Sequence, residues 1–313
     1  MLAFHFVFAG GWHRSCQQPS GASQRYLGTM GGPMARNILK AGHSLVVYDL
    51  DAKKNAQFAA LGAQAADGPA DVARRAGILI SMVDTSAQAQ AVIVGPGGFI
   101  DAARAGDVIV SMSTIDPEVM RDMHGVLSAK DIDIVDAPVT GFIQGAEDGT
   151  LKAYIGGSAS AVEKCRWALE PMTSEIRHIG AVGQGIMVKL VNNVLAQAGR
   201  ILVVEAMVMG VKAGLDPQII IDIVGKTSGN SAIFQDAAPR LISRDFTGIR
   251  MDITIKDLEL ETQVAKALHV PMFMANVALQ VYQMGKAAGL GDEDPAAIVK
   301  VYEKLTGVSF DRG

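Results

Sequence analysis

The sequence predicts an α/β chain in which a doubly wound parallel sheet is followed by an all-helical C-terminal domain. Short apolar runs at Ser44 to Tyr48, Ile78 to Val83, Val108 to Met112 and Ile132 to Val135 alternate with helix-length segments. Strands separated in this way imply βαβ units with buried parallel strands. A glycine-rich stretch, Leu27-Gly28-Thr29-Met30-Gly31-Gly32, stands just before the first helical segment. After Gly180 the strand signals nearly vanish.

Each element has a local reason. Pro33 to Ala41 reads as a helix that starts at the glycine-rich turn and stops at Gly42, and Ser44 to Tyr48 as a strand ending in Asp49. Gln184 to Ala213 reads as one long helix joining the two domains. Further helical segments follow at Pro217 to Val224, Ile255 to Leu268, Met272 to Ala288 and Pro295 to Leu305. The expected division is residues 1–180, with residues 1–26 atypical, and residues 181–313. No internal repeat or low-complexity tract is evident.

Composition excludes several classes. A chain of 313 residues, 49% hydrophobic and 19% charged, is long enough for two cores. Its net charge of −4, with basic residues scattered, gives no footprint for nucleic acid. Only Cys16 and Cys165 are present, too few for a disulfide framework or a cysteine metal cluster, which fits a reducing cytoplasm. The six histidines show no metal-ligand spacing. Leu2 to Ala9 lacks the basic flank and cleavage site of a signal peptide. No run is expected to approach the ~20 apolar residues of a membrane span, because Glu205 interrupts Ile201 to Met209.

Three segments carry chemistry. A glycine-rich strand-to-helix turn of Rossmann type brings backbone N–H groups and the positive end of a helix to a pyrophosphate. Gly28 and Gly31 fit the second and third glycines of that fingerprint, while Tyr26 stands in place of the first. The alternative is an ordinary glycine-rich loop. Asp49, 18 positions beyond Gly31, is placed to bind ribose hydroxyls and repel a 2′-phosphate. Leu50 and Asp51 supply no arginine, so NAD is expected over NADP. In Asp136-Ala137-Pro138-Val139-Thr140-Gly141, a hydroxyl and backbone amides are offered to a substrate carboxylate, unless this is only a Pro/Gly turn. On the long helix, Asn192 and Asn193 follow Lys189 at i+3 and i+4. A lysine whose pKa is lowered by burial can exchange the hydroxyl proton while hydride moves at carbon, although by itself Lys189 also reads as a solvated helix lysine.

GTMGGPMARNILKAGHSLVVYD, DAPVTGFIQGAEDGTL and GQGIMVKLVNN, in this order and spacing, resemble the β-hydroxyacid dehydrogenase family from about residue 27 to the C-terminus. The resemblance implies a dinucleotide-binding domain, a helical dimerising domain, and metal-free hydride transfer between nicotinamide and a short hydroxy acid or its semialdehyde. It casts Lys189 as the proton-transfer residue assisted by Asn193, with Asn192 and Thr140-Gly141-Phe142 at the substrate. It assigns Gly28, Thr29, Met30, Gly31, Asp49, Met82, Val83, Thr114 and Lys256 to the cofactor. Ser113 beside Thr114 reads equally as a helix cap, and Asp257 beside Lys256 as half of a solvated pair.

The chain departs from the family pattern in places. Phe142 replaces a glycine, adding bulk and removing backbone freedom, which points to a different substrate. Ile249 stands where an aromatic residue is common, and Asp84-Thr85 replaces the usual Pro-Asn. Two rival readings accompany the dehydrogenase: a catalytically impaired relative with defective cofactor binding, and an imine reductase-like enzyme, which would lack the lysine.

Met207, Val208, Met209, Met272, Phe273 and Met274 make the later helices apolar enough to expect a homodimer or homotetramer, unless they are simply core. At the other end, Cys16 to Tyr26 has a loop's polarity where a first strand should enter the glycine-rich turn. Residues 1–26 are therefore expected not to be the segment that belongs before Leu27, as a shifted frame or misjudged start would produce. As translated, Leu2 to Phe8 is the best substitute first strand, with Gly10 to Tyr26 forming a long, poorly ordered loop that weakens NAD binding.

Overall fold

The structure, a computed structural model, describes residues 5–11 and 30–310. Its strands are β1 His5–Gly11, β2 Ser44–Tyr48, β3 Gln64–Ala65, β4 Ile78–Val83, β5 Val108–Ser111, β6 Asp133–Asp136, β7 Val139–Thr140, β8 Leu151–Gly156 and β9 Thr173–Gly180. The helices of the first part are α1 Gly31–Lys40, α2 Ala52–Ala60, α3 Pro69–Arg75, α4 Ser86–Ile93, α5 Pro117–Ser128, α6 Phe142–Asp148 and α7 Ala159–Leu169. The remaining helices are α8 Gln184–Lys212, α9 Pro217–Val224, α10 Ala232–Ser243, α11 Met251–Ala267, α12 Phe273–Ala287 and α13 Val299–Thr306. The chain divides into two compact units after Lys189, within α8.

In the first unit the described strands form one sheet in the order β3-β2-β1-β4-β5-β6-β8-β7, with β9 on β8. The pairs β2/β3, β4/β5, β5/β6 and β8/β9 are parallel. The apolar runs are strands because both faces are covered: on one, Leu45, Val47, Ile80, Val108, Val110 and Val135 are buried with Met34 and Ile38 of α1 and Phe58 of α2, and on the other Val46, Leu79, Ile109 and Ile134 are buried as well. α1 ends where Gly42 takes φ +82°, a conformation that favours glycine, and the chain turns directly into β2.

The first strand departs from expectation in register and direction. Among the described residues the strand is His5–Gly11, so it shares His5 to Phe8 with the expected run, and Gly10 and Gly11 belong to it and not to a following loop. It lies between β2 and β4, where a Rossmann sheet has its first strand, but it is antiparallel to both, pairing Gly11 with Ser44 and Gly10 with Ile78. Gly11 therefore lies at the ends where β2 and β4 begin, and β1 does not lead into α1. A strand's direction is set by long-range pairing, to which a short, mostly apolar run is indifferent. The expected loop over the pyrophosphate site lies outside the described residues.

The second unit is helical. Its core gathers Val204 and Met207 of α8, Phe234 and Leu241 of α10, Met251 and Leu258 of α11, and Tyr282 of α12. The Tyr282 hydroxyl donates to the carbonyl of Gln197 at 2.9 Å, which satisfies a wholly buried phenol. α10 was invisible in the sequence because Pro239 lies inside it, and it begins where the Ser231 hydroxyl accepts the N–H of Phe234 at 3.1 Å. The expectation about span length needs correcting: α8, 29 residues long, is long and apolar enough to cross a membrane by length and composition. It nevertheless buries Ile201, Val204 and Met207 in the protein core. Met207 and Val208 are likewise core, whereas Met209, Phe273 and Met274 are exposed.

Candidate active site

Gly28 and Thr29 lie outside the described residues, but the helix start beyond them fits a dinucleotide. Met30 caps α1 without a side-chain hydrogen bond, Gly31 and Gly32 are buried in the first turn, and no acidic residue lies there. A helix start with neither a capping side chain nor a negative charge suits a pyrophosphate, whose oxygens take up the N–H groups a cap would otherwise hold.

Asp49 follows β2 and is almost wholly buried. One carboxylate oxygen accepts the N–H of Asp51 at 2.8 Å, and the other lies 3.5 Å from Lys54 Nζ. Burial raises its carboxyl above the usual range, and the Asp51 N–H and Lys54 act against that rise. Asn55 fixes the turn from both sides, accepting the Asp49 N–H and donating to the Asp49 carbonyl, each at 2.7 Å. The acid is thus rigidly held at the end of β2, with part of its charge offset by Lys54.

Across the sheet, Met82 is half-buried and Val83 buried at the end of β4. The buried Ser113 hydroxyl accepts the Val83 N–H at 2.7 Å, tying the segment after β5 to the end of β4. Ser113 is therefore a strut between the two strand ends, while Thr114 beside it is half-buried. The unusual Asp84-Thr85 pair also has a local role. Thr85 caps α4 reciprocally with Gln88, whose side-chain oxygen accepts the N–H groups of Asp84 and Thr85, each at 3.0 Å.

Thr140 ends β7, Gly141 takes φ +139°, and Phe142 is the first residue of α6. The strained position is thus Gly141, where a Cβ would also meet Leu151 Cδ2 at 3.1 Å. Phe142 occupies helical backbone open to any residue, so the backbone freedom lost with glycine is not needed at that position.

On α8, Lys189 is half-buried, Asn192 exposed and Asn193 buried. Asn193 Nδ2 donates to Asp257 Oδ2 at 3.2 Å, and Asp257 Oδ1 lies 2.9 Å from Lys256 Nζ. Asp257, which the sequence left open between a solvated pair and a residue closing the site with Lys256, is the buried link between an asparagine on α8 and a lysine on α11. Asn193 and Asp257 lie 64 residues apart, a connection no local pattern shows.

Sequence reasoning assigned no role to Asp136. It ends β6 with no exposed surface, and its two oxygens accept the N–H groups of Gly183 at 2.6 Å and Ile186 at 2.7 Å, at the start of α8. Burial pushes its carboxyl up to about 6 against the lowering effect of these N–H groups. The available signal was an aspartate closing an apolar strand, matched with Gly183-Gln184-Gly185 opening the long helix.

An uncapped helix start opening on two buried glycines, a buried acid after β2, and a helix-borne lysine followed by an anchored asparagine are the parts a nicotinamide-dependent oxidoreductase uses. Comparison with known proteins agrees. Residues 27–180 match the NAD binding domain of 6-phosphogluconate dehydrogenase, and residues 183–302 match the NAD-binding domain of NADP-dependent 3-hydroxyisobutyrate dehydrogenase. The chain is 40% identical to 2-(hydroxymethyl)glutarate dehydrogenase of Eubacterium barkeri, over 92% of this chain and 96% of that protein. It is 33% identical to NAD-dependent L-serine dehydrogenase of Pseudomonas aeruginosa, over 90% and 97% respectively. The solved structure of Mycobacterium tuberculosis 3-hydroxyisobutyrate dehydrogenase with L-serine superposes with a TM-score of 0.82 at 27% identity, covering 88% of this chain and 97% of that one. The chain belongs to the β-hydroxyacid dehydrogenase family and is an NAD(P)-dependent oxidoreductase acting on the CH–OH group of hydroxy acids.

Proposed function

We propose that this chain oxidises a short β-hydroxy acid with NAD, or reduces the matching semialdehyde, with Lys189 carrying the hydroxyl proton. The nicotinamide, when bound, supplies or accepts the hydride. The protein must then move a proton at the substrate oxygen and hold the acid end of the substrate. Lys189 is half-buried, and a lysine whose amine is desolvated in the site can act as a base near neutral pH. Asn193, one turn on, is fixed by Asp257, and this single observation carries the assignment best: an anchored amide orients the substrate oxygen without reorganising during reaction. Asn192, Thr140, Gly141 and Phe142 complete the substrate assignment, with Thr140 and the turn at Gly141 receiving the carboxylate. Met30, Gly31, Asp49, Met82, Val83, Thr114 and Lys256 serve the cofactor together with Gly28 and Thr29.

We assign dinucleotide binding to residues 1–180, and substrate binding with self-association to residues 181–313, and expect the enzyme to work in the cytoplasm. Val191, Leu195, Leu202 and Met209 are more than half exposed and recur along α8 at intervals of four, seven and seven. Such spacing keeps them on one stripe, and a second copy of the chain is the usual cover for an apolar stripe of this kind.

The test is a panel of 2-(hydroxymethyl)glutarate, 3-hydroxyisobutyrate, L-serine and L-threonate with NAD, and of the corresponding semialdehydes with NADH, followed by NADH absorbance. Turnover of at least one hydroxy acid is expected. No turnover from a folded protein that binds NADH would leave the catalytically impaired reading standing in its place.

A further inference from the structure

Asp136 joins two parts of the first unit that the proposed chemistry needs in fixed relation. Its oxygens hold the N–H groups of Gly183 and Ile186, so the first turn of α8 is seated on the end of β6. Ile186 lies three residues before Lys189, on the same side of the helix. On the other side, Asp136 runs through Ala137-Pro138 into Val139 and Thr140, the strand that ends at the candidate substrate turn. Two glycines make room for the carboxylate. A Cβ on Gly156 would lie 2.5 Å from Asp136 Oδ1, and one on Gly185 would lie 2.9 Å from Oδ2 and 2.2 Å from the Tyr154 carbonyl.

We propose that Asp136 is a positioning residue for the reaction: by gripping the start of α8 it sets the Lys189 amine relative to the substrate turn at Thr140 to Phe142. The proposal rests on the reading of Lys189 as the proton carrier. Asp136 itself has no exposed surface to offer substrate or cofactor. A carboxylate accepts two N–H groups at once, whereas its protonated form, or an asparagine, presents one acceptor and one donor to the same pair. The grip therefore depends on ionisation. Charged or titratable groups on neighbouring elements include Arg121 of α5, whose Nη1 would lie 3.1 Å from a Cβ on Gly183 and which is paired with Glu118, Tyr154 of β8, and His178 of β9, whose Nε2 lies 2.8 Å from the Gly157 carbonyl and 3.0 Å from that of Gly180. Lys189 lies one helical turn beyond the grip.

The test measures kcat, KM and NADH affinity against pH for the full-length wild type, Asp136→Asn, His178→Gln and Lys189→Ala. Rates are taken in the direction of semialdehyde reduction. There Lys189 must be protonated and produces no fall in rate at low pH, so a fall there reports Asp136. Wild type and His178→Gln are expected to lose kcat below about pH 6 while NADH affinity stays level. Asp136→Asn should show kcat lowered at least ~10-fold at neutral pH, with little change in KM or NADH affinity and no fall at low pH. A kcat within twofold of wild type, or a low-pH fall retained in Asp136→Asn, overturns the proposal. Should Asp136→Asn fail to fold, a wild-type kcat that is level from pH 7 to 5, or a fall that disappears in His178→Gln, overturns it equally. Full activity of Lys189→Ala overturns the reading of Lys189, and is distinguishable because it leaves the Asp136→Asn result standing.

Discussion

Changing Asp136 to asparagine should alter how stability depends on pH, by an amount set by the environment of the carboxyl. Burial moves it from 3.8 to about 6. That difference corresponds to about 3 kcal/mol between its protonation states. Between these values the unfolded chain has released the proton and the folded chain retains it, so unfolding free energy falls as pH rises. The stabilisation from this group is thus complete below about pH 4 and gone above about pH 6. Urea denaturation of wild type and Asp136→Asn at pH 4, 5, 6 and 7 isolates it, since other titrating groups cancel in the difference. Wild-type stability minus that of the variant is expected to drop by about 2–3 kcal/mol from pH 4 to 7. A difference constant across that range, or rising with pH, would refute the reasoning, because it would mean the backbone N–H groups outweigh burial. At neutral pH the carboxylate lowers stability relative to its neutral form while fixing the start of α8, a trade expected of a residue kept for geometry.

Other consequences can be measured separately. Specificity constants should favour NAD over NADP, since the buried Asp49 meets a 2′-phosphate, though Lys54 at 3.5 Å moderates the contrast; equal or reversed constants would count against this. Ser113→Ala removes the acceptor for the buried Val83 N–H and should cost about 1–3 kcal/mol in urea denaturation while weakening NADH binding; unchanged stability would show the strut to be dispensable. Light scattering should find a dimer or tetramer at micromolar concentration, and Leu195→Glu with Met209→Glu should reduce it to monomer; a monomeric wild type would show that the stripe needs no cover.

Much of the α/β half was legible because its strands are short apolar runs buried on both faces. Ser44 to Tyr48 and Ile78 to Val83 form strands with the bounds their sequences suggest. The long helix was legible for the opposite reason, a long apolar run without proline in which Gly199 alone interrupts the centre. What escaped depends on partners distant in sequence. The direction of β1 is fixed by its pairing with β2 and β4, α10 by packing that overrides Pro239, and the importance of Asp136 by N–H groups about fifty residues away. At the site, residue types suggested Lys189 and Asn193, but only folding distinguished the buried, anchored Asn193 from the exposed Asn192 and showed Asp257 to be its anchor. Phe142 shows the converse: the backbone freedom it gives up falls on ordinary helical backbone that does not need it.

The central claim is that Lys189 carries the proton in an NAD-linked oxidation of a hydroxy acid. Turnover of Lys189→Ala beside wild type, on the best substrate of the panel, with fold checked by thermal denaturation and NADH affinity by fluorescence titration, tests it most directly. A loss of at least ~10²-fold in kcat with fold and NADH affinity retained is the predicted result. Wild-type turnover from the folded, cofactor-binding variant would contradict it.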